Sequence, residues 1–429
     1  MTRLLTAPSR RAALFAAAGL GLSVTFLGRQ AFAASEGAAA RRKLVVVICR
    51  GAMDGLSVSP PVGDPDYRGL RGEIAIAGFG QPGGALPLDD TFGLHPKLTA
   101  IHDLAMKGQA RIAPAIATPD RARSHFEAQD VLETGMSGVY AADSGWLNRA
   151  LQALSAQRKV EALSVGAQAP LILRGKVQAA SWSPGGYRDA DPRLPGILAD
   201  LYAGDPLLGP ALAAGLRTEA MAKAAVDPAP PAPGPMAADV AMNQAGGAQQ
   251  LQARAQQAAA GQARNLGATL AKFMIEPNGP QIAAVSLDGF DTHANQGAAE
   301  GQLANRLLYL DSMIDGLTSG LGPAWSDTLI LVCTEFGRTA RVNGTRGTDH
   351  GTASTALILG GGLKGRGVVG DWPTLRQARL FENRDTAPTL DMRSLFKGAL
   401  ADQLGLDRRT LDTVVFPGAA DAPPVRDLV

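Results

Sequence analysis

Five short apolar segments constrain the fold of this chain more than any other feature. The clearest are KLVVVIC at 43–49, IAAVSL at 282–287 and TLILVC at 328–333, and weaker versions are ARIAPAIA at 110–117 and TALILG at 355–360. A continuous apolar run of this length, rich in branched side chains, is typical of a strand that is buried on both faces. We therefore predict five strands in the interior of the protein.

Amphipathic stretches alternate with these segments. They are HPKLTAIHDLAM, SHFEAQDVLETG, GWLNRALQAL, ANRLLYLDSMIDGL and DMRSLFKGALADQL. Strands that alternate with helices indicate an α/β fold, in which a mainly parallel sheet carries helices on both faces. In such a sheet the functional residues lie on loops at the carboxyl ends of the strands. The residues that follow positions 49, 117, 287 and 333 are therefore the first candidates for a site.

The first 33 residues have the pattern of an export signal. Arg10 and Arg11 precede an apolar run that is short for a membrane span, and an Ala-Phe-Ala sequence ends at Ala33. The paired arginines are close to the twin-arginine signature, which directs the export of folded and often metal-loaded proteins. An ordinary secretory signal or an uncleaved anchor is the alternative. We predict a mature chain of residues 34–429 that is periplasmic or secreted.

The charge balance bears on the kind of partner. Removal of residues 1–33 deletes four arginines and no acidic residue, so the formal net charge changes from +2 to about −2. A nearly neutral chain gives no reason to expect nucleic acid or an anionic membrane surface as a partner. No later apolar run reaches the roughly 18 residues of a membrane span. We expect no nucleic-acid partner and no integral span after cleavage of the signal.

The middle of the chain has a different composition. The segment VDPAPPAPGPMAADV at 226–240 is rich in proline and alanine, and an alanine- and glutamine-rich stretch follows it to about residue 275. We interpret residues 170–275, approximately, as an insertion over one edge of the sheet. The rest of 34–429 is predicted to be one α/β domain.

Cys49 and Cys333 are the two cysteines of the chain, and each ends a predicted strand. Two cysteines leave no room for a disulfide framework or for a metal site built from cysteine pairs. They are either two buried thiols or one disulfide between neighbouring strands, which an oxidising compartment would permit.

The first two strand ends each have a structural and a functional interpretation. Asp54 is either a cation ligand or part of an Asp-Gly turn. Ser124 is either the N-cap of the next helix, with Glu127 completing a capping box, or a hydroxyl at a helix N-terminus, where a bound anion is stabilised. His125 beside it is either a ligand or base, or it hydrogen-bonds within the fold.

The third strand ends in SLDGFDTHANQ, which places Asp288, Asp291 and His293 within six residues. A cap and a turn account for one aspartate, but they do not account for an aspartate and a histidine two residues apart. An oxygen and an imidazole at this spacing suit zinc or manganese. We therefore interpret Asp291 and His293 as metal ligands.

The fourth strand is followed directly by Glu335 and Arg338, and Asp349 and His350 come after a polar loop. Four strand ends thus bring acids, a hydroxyl and histidines to one rim of the sheet. This coincidence predicts a functional site at that rim. Arg338 or Arg50 would bind the oxygens of a transferred group in a bidentate manner.

Several segments resemble a known superfamily. The TLILVCTEFG strand, the GTDHG loop and the following TALILG strand look like the terminal metal region of the alkaline phosphatase superfamily. Within it, RGAMDGL, RSHFEAQD, GFDTH and TEFGRT look like a group of twin-arginine-exported bacterial proteins, domain of unknown function 1501. The resemblance extends from about residue 43 to 405, without the insertion. It implies an alkaline-phosphatase-like fold, one or two divalent ions, most often zinc or manganese, and hydrolysis of a phosphate or related ester.

The resemblance also implies roles for individual residues. Asp54 resembles the acid that follows the first strand and bridges toward a second metal, and Ser124 occupies the place of the nucleophile. Asp291 and His293 look like the ligand pair of the first metal. Asp288 is a reserve candidate, because its spacing to His293 matches some members better.

The end of the chain both follows the superfamily pattern and departs from it. His350 resembles the last histidine ligand, with Asp349 as its orienting neighbour or as a reserve ligand. Glu335 stands where the superfamily has an aspartate and can replace it as a metal ligand, whereas Phe336 stands where the superfamily has a histidine. Phenylalanine does not bind metal, so the second site lacks a nitrogen ligand unless His125 supplies it.

Two functional classes follow from these residues. The first is an exported metal-dependent hydrolase that acts on a small-molecule or polymer ester. The second is a non-catalytic binding or assembly protein of the cell envelope, on the same fold, with a degenerate metal site and an envelope partner. The segment ATPDR at 117–121 has alanine where the sulfatase motif has its nucleophile, which argues against a formylglycine sulfatase.

Overall fold

The computed structural model describes residues 41–155, 162–165, 170–177, 179–182, 247–277 and 279–429. The predicted signal at 1–33 and most of the predicted insertion lie outside these residues. Parts of the predicted insertion are described, namely a 3₁₀ turn at Leu171–Leu173, an edge strand at Ala180–Trp182 and a long helix at Gly247–Ile275.

The described residues form eleven strands and nine α-helices. The strands are β1 Lys43–Cys49, β2 Leu86–Pro87, β3 Gly93–Leu94, β4 Ala110–Ala117, β5 Ala162–Val165, β6 Ala180–Trp182, β7 Ile282–Leu287, β8 Thr328–Cys333, β9 Ser354–Gly360, β10 Gly367–Val368 and β11 Leu390–Asp391. The α-helices are α1 Gly55–Val58, α2 Tyr67–Arg71, α3 Thr99–Met106, α4 His125–Thr134, α5 Trp146–Ser155, α6 Gly247–Ile275, α7 Gln302–Leu321, α8 Met392–Leu404 and α9 Arg408–Thr410. Short 3₁₀ turns lie at Gly72–Ile74, Leu171–Leu173, Gly322–Asp327 and Gln377–Arg379, and one π turn at Leu411–Val415.

One nine-stranded sheet organises the domain. Its order is β10-β4-β9-β8-β1-β7-β5-β6, with β11 also paired to β4. The central strand β1 runs parallel to β7 and β8, whereas β9 runs antiparallel to both of its neighbours, β4 and β8. The prediction of a mainly parallel sheet is confirmed. Because β9 is antiparallel, its first residues lie at the edge where the parallel strands end.

The sheet is covered on both faces, as predicted. Alternate residues of β1 point to opposite faces, so that Val45 and Val47 pack with α3, α6 and α7, whereas Leu44 and Val46 pack with α5 and α8. All four side chains are fully buried. Burying one such side chain stabilises the fold by about 1.5–3 kcal/mol, and burial on both faces therefore favours a central position of β1 in the sheet.

The two cysteines are buried and unpaired. Cys333 pairs in register with Ile48, the residue before Cys49, so the two thiols point to opposite faces of the sheet. Burial raises the pKa of both thiols. Of the two alternatives, the structure has two separate buried thiols.

The long helix α6 packs along α7, on the same face as α3. Its sequence is rich in alanine and glutamine. In the part of the chain that the structure describes, no helix is long and apolar enough to cross a membrane.

Candidate metal centre

Loops from four strands meet at one edge of the sheet. The loop after β7 is joined to the loop that precedes β9, since the Thr348 amide donates to the Thr292 carbonyl at 3.2 Å. The connection from β8 to β9 folds back on itself, and Arg338 and His350 form an isolated antiparallel bridge. This fold-back places residues far apart in sequence within contact distance.

Three of the five histidines of the chain converge there with one aspartate. His125 begins α4, His293 follows β7 and His350 precedes β9. His125, Asp291 and His350 each offer one atom to a group in which all atoms lie within 4.8 Å of one another. His293 joins them, because its Nε2 lies 3.0 Å from Asp291 Oδ1 and 3.0 Å from His350 Nε2. We call these four residues the His3Asp cluster.

The spacing of Asp291, His125 and His350 suits one metal ion. Ligand atoms at the corners of a tetrahedron around zinc are roughly 3.3 Å apart. Asp291 Oδ1 lies 3.4 Å from His350 Nε2, and Asp291 Oδ2 lies 3.4 Å from His125 Nε2. The buried His125 Nε2 makes no hydrogen bond, which a ligand at the centre would explain. The residues present therefore fit a divalent ion.

The outer ring nitrogens are held by the protein. His125 Nδ1 lies 2.9 Å from Glu335 Oε1, and His350 Nδ1 lies 2.9 Å from the carbonyl oxygen of Arg123. With each Nδ1–H donating outward, each Nε2 directs its lone pair into the cluster, as metal-binding histidines do. His293 Nδ1 lies 3.5 Å from Asp349 Oδ1.

The neighbouring charges shift the pKa values of the cluster. The hydrogen bond from His125 to Glu335 raises the pKa of His125. Burial, together with the charges of Arg338 and His125, lowers the pKa of His350. Burial would raise the pKa of Asp291, but the hydrogen bond and charge of Arg338 outweigh it and keep that pKa below its ordinary value. Asp291 is therefore a carboxylate at neutral pH.

Arg338 holds Asp291 in place. The side chain is buried, and it donates to the carbonyl oxygens of Ala52 at 2.8 Å, Thr348 at 3.0 Å and Gly51 at 2.6 Å, as well as to Asp291 Oδ1. These contacts use the guanidinium to hold Asp291 and the surrounding backbone, rather than to bind the oxygens of a transferred group.

Arg50, the other predicted clamp, is also engaged with protein groups. It donates to Gln129 at 2.9 Å and to Ser286 at 3.3 Å, and it forms an ion pair with the buried Glu133 at 2.7 Å. The guanidinium therefore ties β1 and β7 to α4.

Asp54 lies outside the His3Asp cluster. Its buried carboxylate forms an ion pair with Arg71 and accepts a hydrogen bond from Ser57 at 2.8 Å. The guanidinium already compensates its charge. The two reserve residues are both exposed, with Asp349 beside His293 and Asp288 at the end of β7.

Ser124 occupies the N-cap position of α4, which begins at His125 as predicted. Of the two interpretations of Ser124, the capping bond is absent, because its side chain makes no cap hydrogen bond. The half-buried hydroxyl is thus left at the helix N-terminus, next to a residue of the cluster.

Arg123 is a site residue that the sequence did not reveal. It has a positive φ of 58°, and its carbonyl oxygen orients His350. Its guanidinium pairs with Glu382 at 2.5 Å and with Asp385 at 2.9 Å, which anchors the loop in this conformation. A backbone carbonyl comes from any residue type, so the sequence carries no signal for this contact.

A cleft with a volume of about 400 Å³ lies beside the site, between α6 and α7. It borders the ligand loop at Gly289, and Arg306 and Tyr309 also line it. None of the predicted site residues lines this cleft. Gly289 lies two residues before Asp291, so the cleft is next to the His3Asp cluster but does not contain it.

Solved structures with a similar chain trace have low similarity scores. The lipoteichoic acid synthase LtaP from Listeria monocytogenes gives a TM-score of 0.38 at 8% identity, over 89% of this chain and 76% of that chain. The phosphonate monoester hydrolase of Agrobacterium radiobacter gives 0.37 at 13% identity, over 85% and 74%. The C-terminal periplasmic domain of EcEptC from Escherichia coli gives 0.34 at 11% identity, over 88% and 86%. Because these scores lie below 0.5, we base no conclusion on them.

Sequence comparison identifies the family. A search of curated proteins gives no match. The profile of the family described as "Protein of unknown function (DUF1501)" matches residues 41–415. This range includes all nine strands of the sheet and every residue of the His3Asp cluster. The chain therefore belongs to the DUF1501 family.

Proposed function

We propose that this protein is an exported metal-dependent hydrolase that cleaves a phosphate or related ester with one divalent ion, zinc or manganese. The observation that carries the proposal is the convergence of one carboxylate with two imidazoles, which a third imidazole, that of His293, contacts at 3.0 Å. Hydrogen bonds behind them orient two of the three imidazoles. Imidazole and carboxylate ligands suit zinc and manganese. The predicted N-terminal signal at residues 1–33 supports export of the chain.

Ser124 is the proposed nucleophile. Its Oγ lies at the N-terminus of α4, where free N–H groups and the helix dipole favour a negatively charged oxygen. The hydroxyl is not consumed by capping, and His125 follows it directly in the chain. An ion in the His3Asp cluster would supply Lewis-acid activation and would neutralise charge on the ester oxygens.

The surroundings of Asp54 support one ion rather than two. Arg71 pairs with this carboxylate, and a cation beside a guanidinium would be repelled. Phe336 is buried against His125 and His350, so it packs behind the cluster. These contacts favour a single metal centre.

Elemental analysis of the purified exported protein tests the metal. We expect about one zinc or manganese ion per chain, and we expect His293→Ala to reduce that content strongly. His102→Ala is the matched control, because it removes a histidine of α3 that bonds to Pro87 instead. A wild-type chain without stoichiometric metal, together with unchanged stability and ligand binding in His293→Ala, contradicts the proposal.

A substrate panel tests the reaction. Aryl phosphate, phosphodiester and sulfate ester substrates are compared with added zinc or manganese. We expect one class to be hydrolysed, and Ser124→Ala and His350→Ala to remove most of that activity. Inactivity of a fully metal-loaded protein on every class would instead favour the non-catalytic binding protein.

A further inference from the structure

A buried amide connects two of the three loops that carry the His3Asp cluster, the loop after β7 and the loop before β9. The side-chain oxygen of Gln296 accepts hydrogen bonds from the hydroxyls of Thr292 and Thr348, both at 2.9 Å. Thr292 is the residue between Asp291 and the next ligand of its loop, and Thr348 lies two residues before His350. One side chain thus contacts both ligand loops from the interior.

The other end of the same amide is anchored to a buried ion pair. Gln296 Nε2 donates to Asp54 Oδ2 at 2.7 Å and to Ser57 Oγ at 3.2 Å, and Asp54 is paired with Arg71. An amide has two N–H donors and two lone pairs on its oxygen, and all four are used here. Since the nitrogen faces a carboxylate and the oxygen faces two hydroxyls, only an amide satisfies both ends.

The loops are also packed closely around this amide. The backbone N–H of Gln296 donates to the Arg346 carbonyl at 3.0 Å. A Cβ on Gly347 would lie only 2.3 Å from the His293 carbonyl carbon, so the second loop rests directly on the first. The ligands themselves are more exposed, with 47% of the His293 side chain and 43% of Asp291 accessible. The distance between the two loops is therefore fixed by buried contacts on the interior side of the ligands.

We propose that Gln296 is a positioning residue that sets the distance between the Nε2 atoms of His293 and His350, which are 3.0 Å apart. The proposal rests on the metal-dependent function above. Metal affinity depends on ligand spacing, and groups behind the ligands that hold this spacing affect affinity without touching the ion.

Cobalt titration of the metal-free full chain tests the proposal. Co²⁺ serves as a probe of zinc-type sites, because its visible absorption reports the coordination geometry. Thr348→Val removes the hydroxyl with little change in shape, and Thr348→Ser restores it. We expect Thr348→Val to weaken Co²⁺ binding by about 10-fold or more and to change the spectrum, whereas Thr348→Ser stays close to the wild type.

A charge exchange gives a second test. Gln296→Glu keeps the shape but places two carboxylates in contact, and we expect it to lose Co²⁺ binding. The double variant Gln296→Glu/Asp54→Asn again pairs one carboxylate with one amide at this contact. We expect it to recover Co²⁺ binding at least in part. If Gln296→Glu does not fold, the two Thr348 variants still decide the question.

The outcomes separate the two proposals. If the wild type binds no Co²⁺, the metal-dependent function fails and the positioning role falls with it. If the wild type binds Co²⁺ and Thr348→Val has the same affinity and spectrum, only the positioning role is overturned. A Thr348→Val variant with a lower melting temperature but an unchanged affinity and spectrum also overturns it, since the hydroxyl is then merely structural.

Discussion

The chemistry of each histidine depends on what its second ring nitrogen contacts. His125 faces Glu335, a fully buried carboxylate that also accepts hydrogen bonds from the Gly51 amide at 2.8 Å and the Thr334 hydroxyl at 2.9 Å. These bonds offset the cost of burial and keep the pKa of Glu335 below its ordinary value. The negative charge behind His125 makes its ring a better metal ligand.

Glu335→Gln is expected to change the pH dependence of metal binding. In the wild type, Glu335 raises the pKa of His125, so zinc affinity increases as the pH rises through that value and the proton is released. The variant removes this effect, so its affinity should level off at a lower pH and be about tenfold weaker at pH 8. Competition with a chelator from pH 6 to 8 measures this.

Glu300→Gln is the control, since Glu300 is exposed and pairs with Lys97 at 2.5 Å, outside the cluster. An identical pH profile in Glu335→Gln and the wild type would contradict the role of Glu335.

His95 is expected to make the fold sensitive to acid. It is fully buried, donates from Nε2 to the Ala298 carbonyl at 3.0 Å and accepts at Nδ1 from the Lys97 amide at 3.1 Å. This arrangement requires the neutral ring, and burial lowers its pKa to about 4. Below about pH 6.5 the histidine is protonated in the unfolded chain but stays neutral in the folded chain. The free energy of unfolding therefore falls as the pH drops toward 4, by roughly 3 kcal/mol in total.

Urea unfolding at pH 7 and pH 5 checks the effect of His95. His95→Gln should be less stable at pH 7 but should lose less stability between the two pH values than the wild type. His102→Gln should keep the wild-type difference. An equal pH difference in all three proteins would show that His95 does not resist protonation.

At the scale of elements, helix α3 is capped by a different helix. Leu98 at its N-cap position makes no side-chain cap bond. Instead Asp311 of α7 accepts from the amides of Ala100 at 3.0 Å and Ile101 at 2.9 Å. The cap therefore depends on the packing of α3 against α7.

Asp311→Ala is expected to lower the free energy of unfolding by about 1–2 kcal/mol, because two N–H groups at the start of α3 lose their acceptor. Asp311→Asn retains one acceptor oxygen and should lose less. Urea unfolding at neutral pH measures both. Asp315→Ala provides a comparison, because Asp315 lies on the same helix but pairs with Arg264. An equal loss in all three variants would exclude a capping role.

The two central strands are expected to stay free of a disulfide. Because Cys49 and Cys333 point to opposite faces of the sheet, no bond forms without disrupting β1 or β8. Thiol titration should find two reactive groups after denaturation and almost none in the folded protein, and a reducing agent should not change the melting temperature. One disulfide by mass spectrometry of the exported protein would contradict this register.

At the scale of the whole molecule, metal binding should stabilise the domain. The His3Asp cluster joins the loops of β4, β7 and β9, so an ion bound there is bound only by the folded chain. At 100 times the dissociation constant, such an ion adds about 2.7 kcal/mol of stability. We expect zinc to raise the melting temperature of the metal-free protein, a chelator to reverse this, and His350→Ala to abolish it. Equal shifts in the wild type and His350→Ala would place the ion elsewhere.

The strands were predictable because their signal is local. The segments that became β1, β4, β7 and β8 match their predictions residue for residue, and β9 begins one residue earlier, at Ser354. Each is a short continuous apolar run, and such a run is typical of a strand that is buried on both faces of a sheet. The direction of β9 was not predictable, because parallel and antiparallel pairing bury the same side chains.

The candidate site was predictable in composition and less so in arrangement. The sequence indicated His293, Asp291 and His350 by their positions at strand ends, and the structure brings them together. It also brings in His125, for which two interpretations were open. Asp54 also follows the end of a strand, yet it pairs with Arg71.

The sequence by itself determined that a mainly parallel sheet forms and that acids and histidines collect at one of its edges, since both follow from hydrophobic pattern and strand polarity. Only the tertiary structure decided which of those side chains face one another. Arg71 reaches Asp54, the Arg123 carbonyl orients His350, and Gln296 spans two loops. Charge compensation and hydrogen bonding act between groups about 3 Å apart in space. The separation of two residues along the sequence does not indicate whether their side chains come this close.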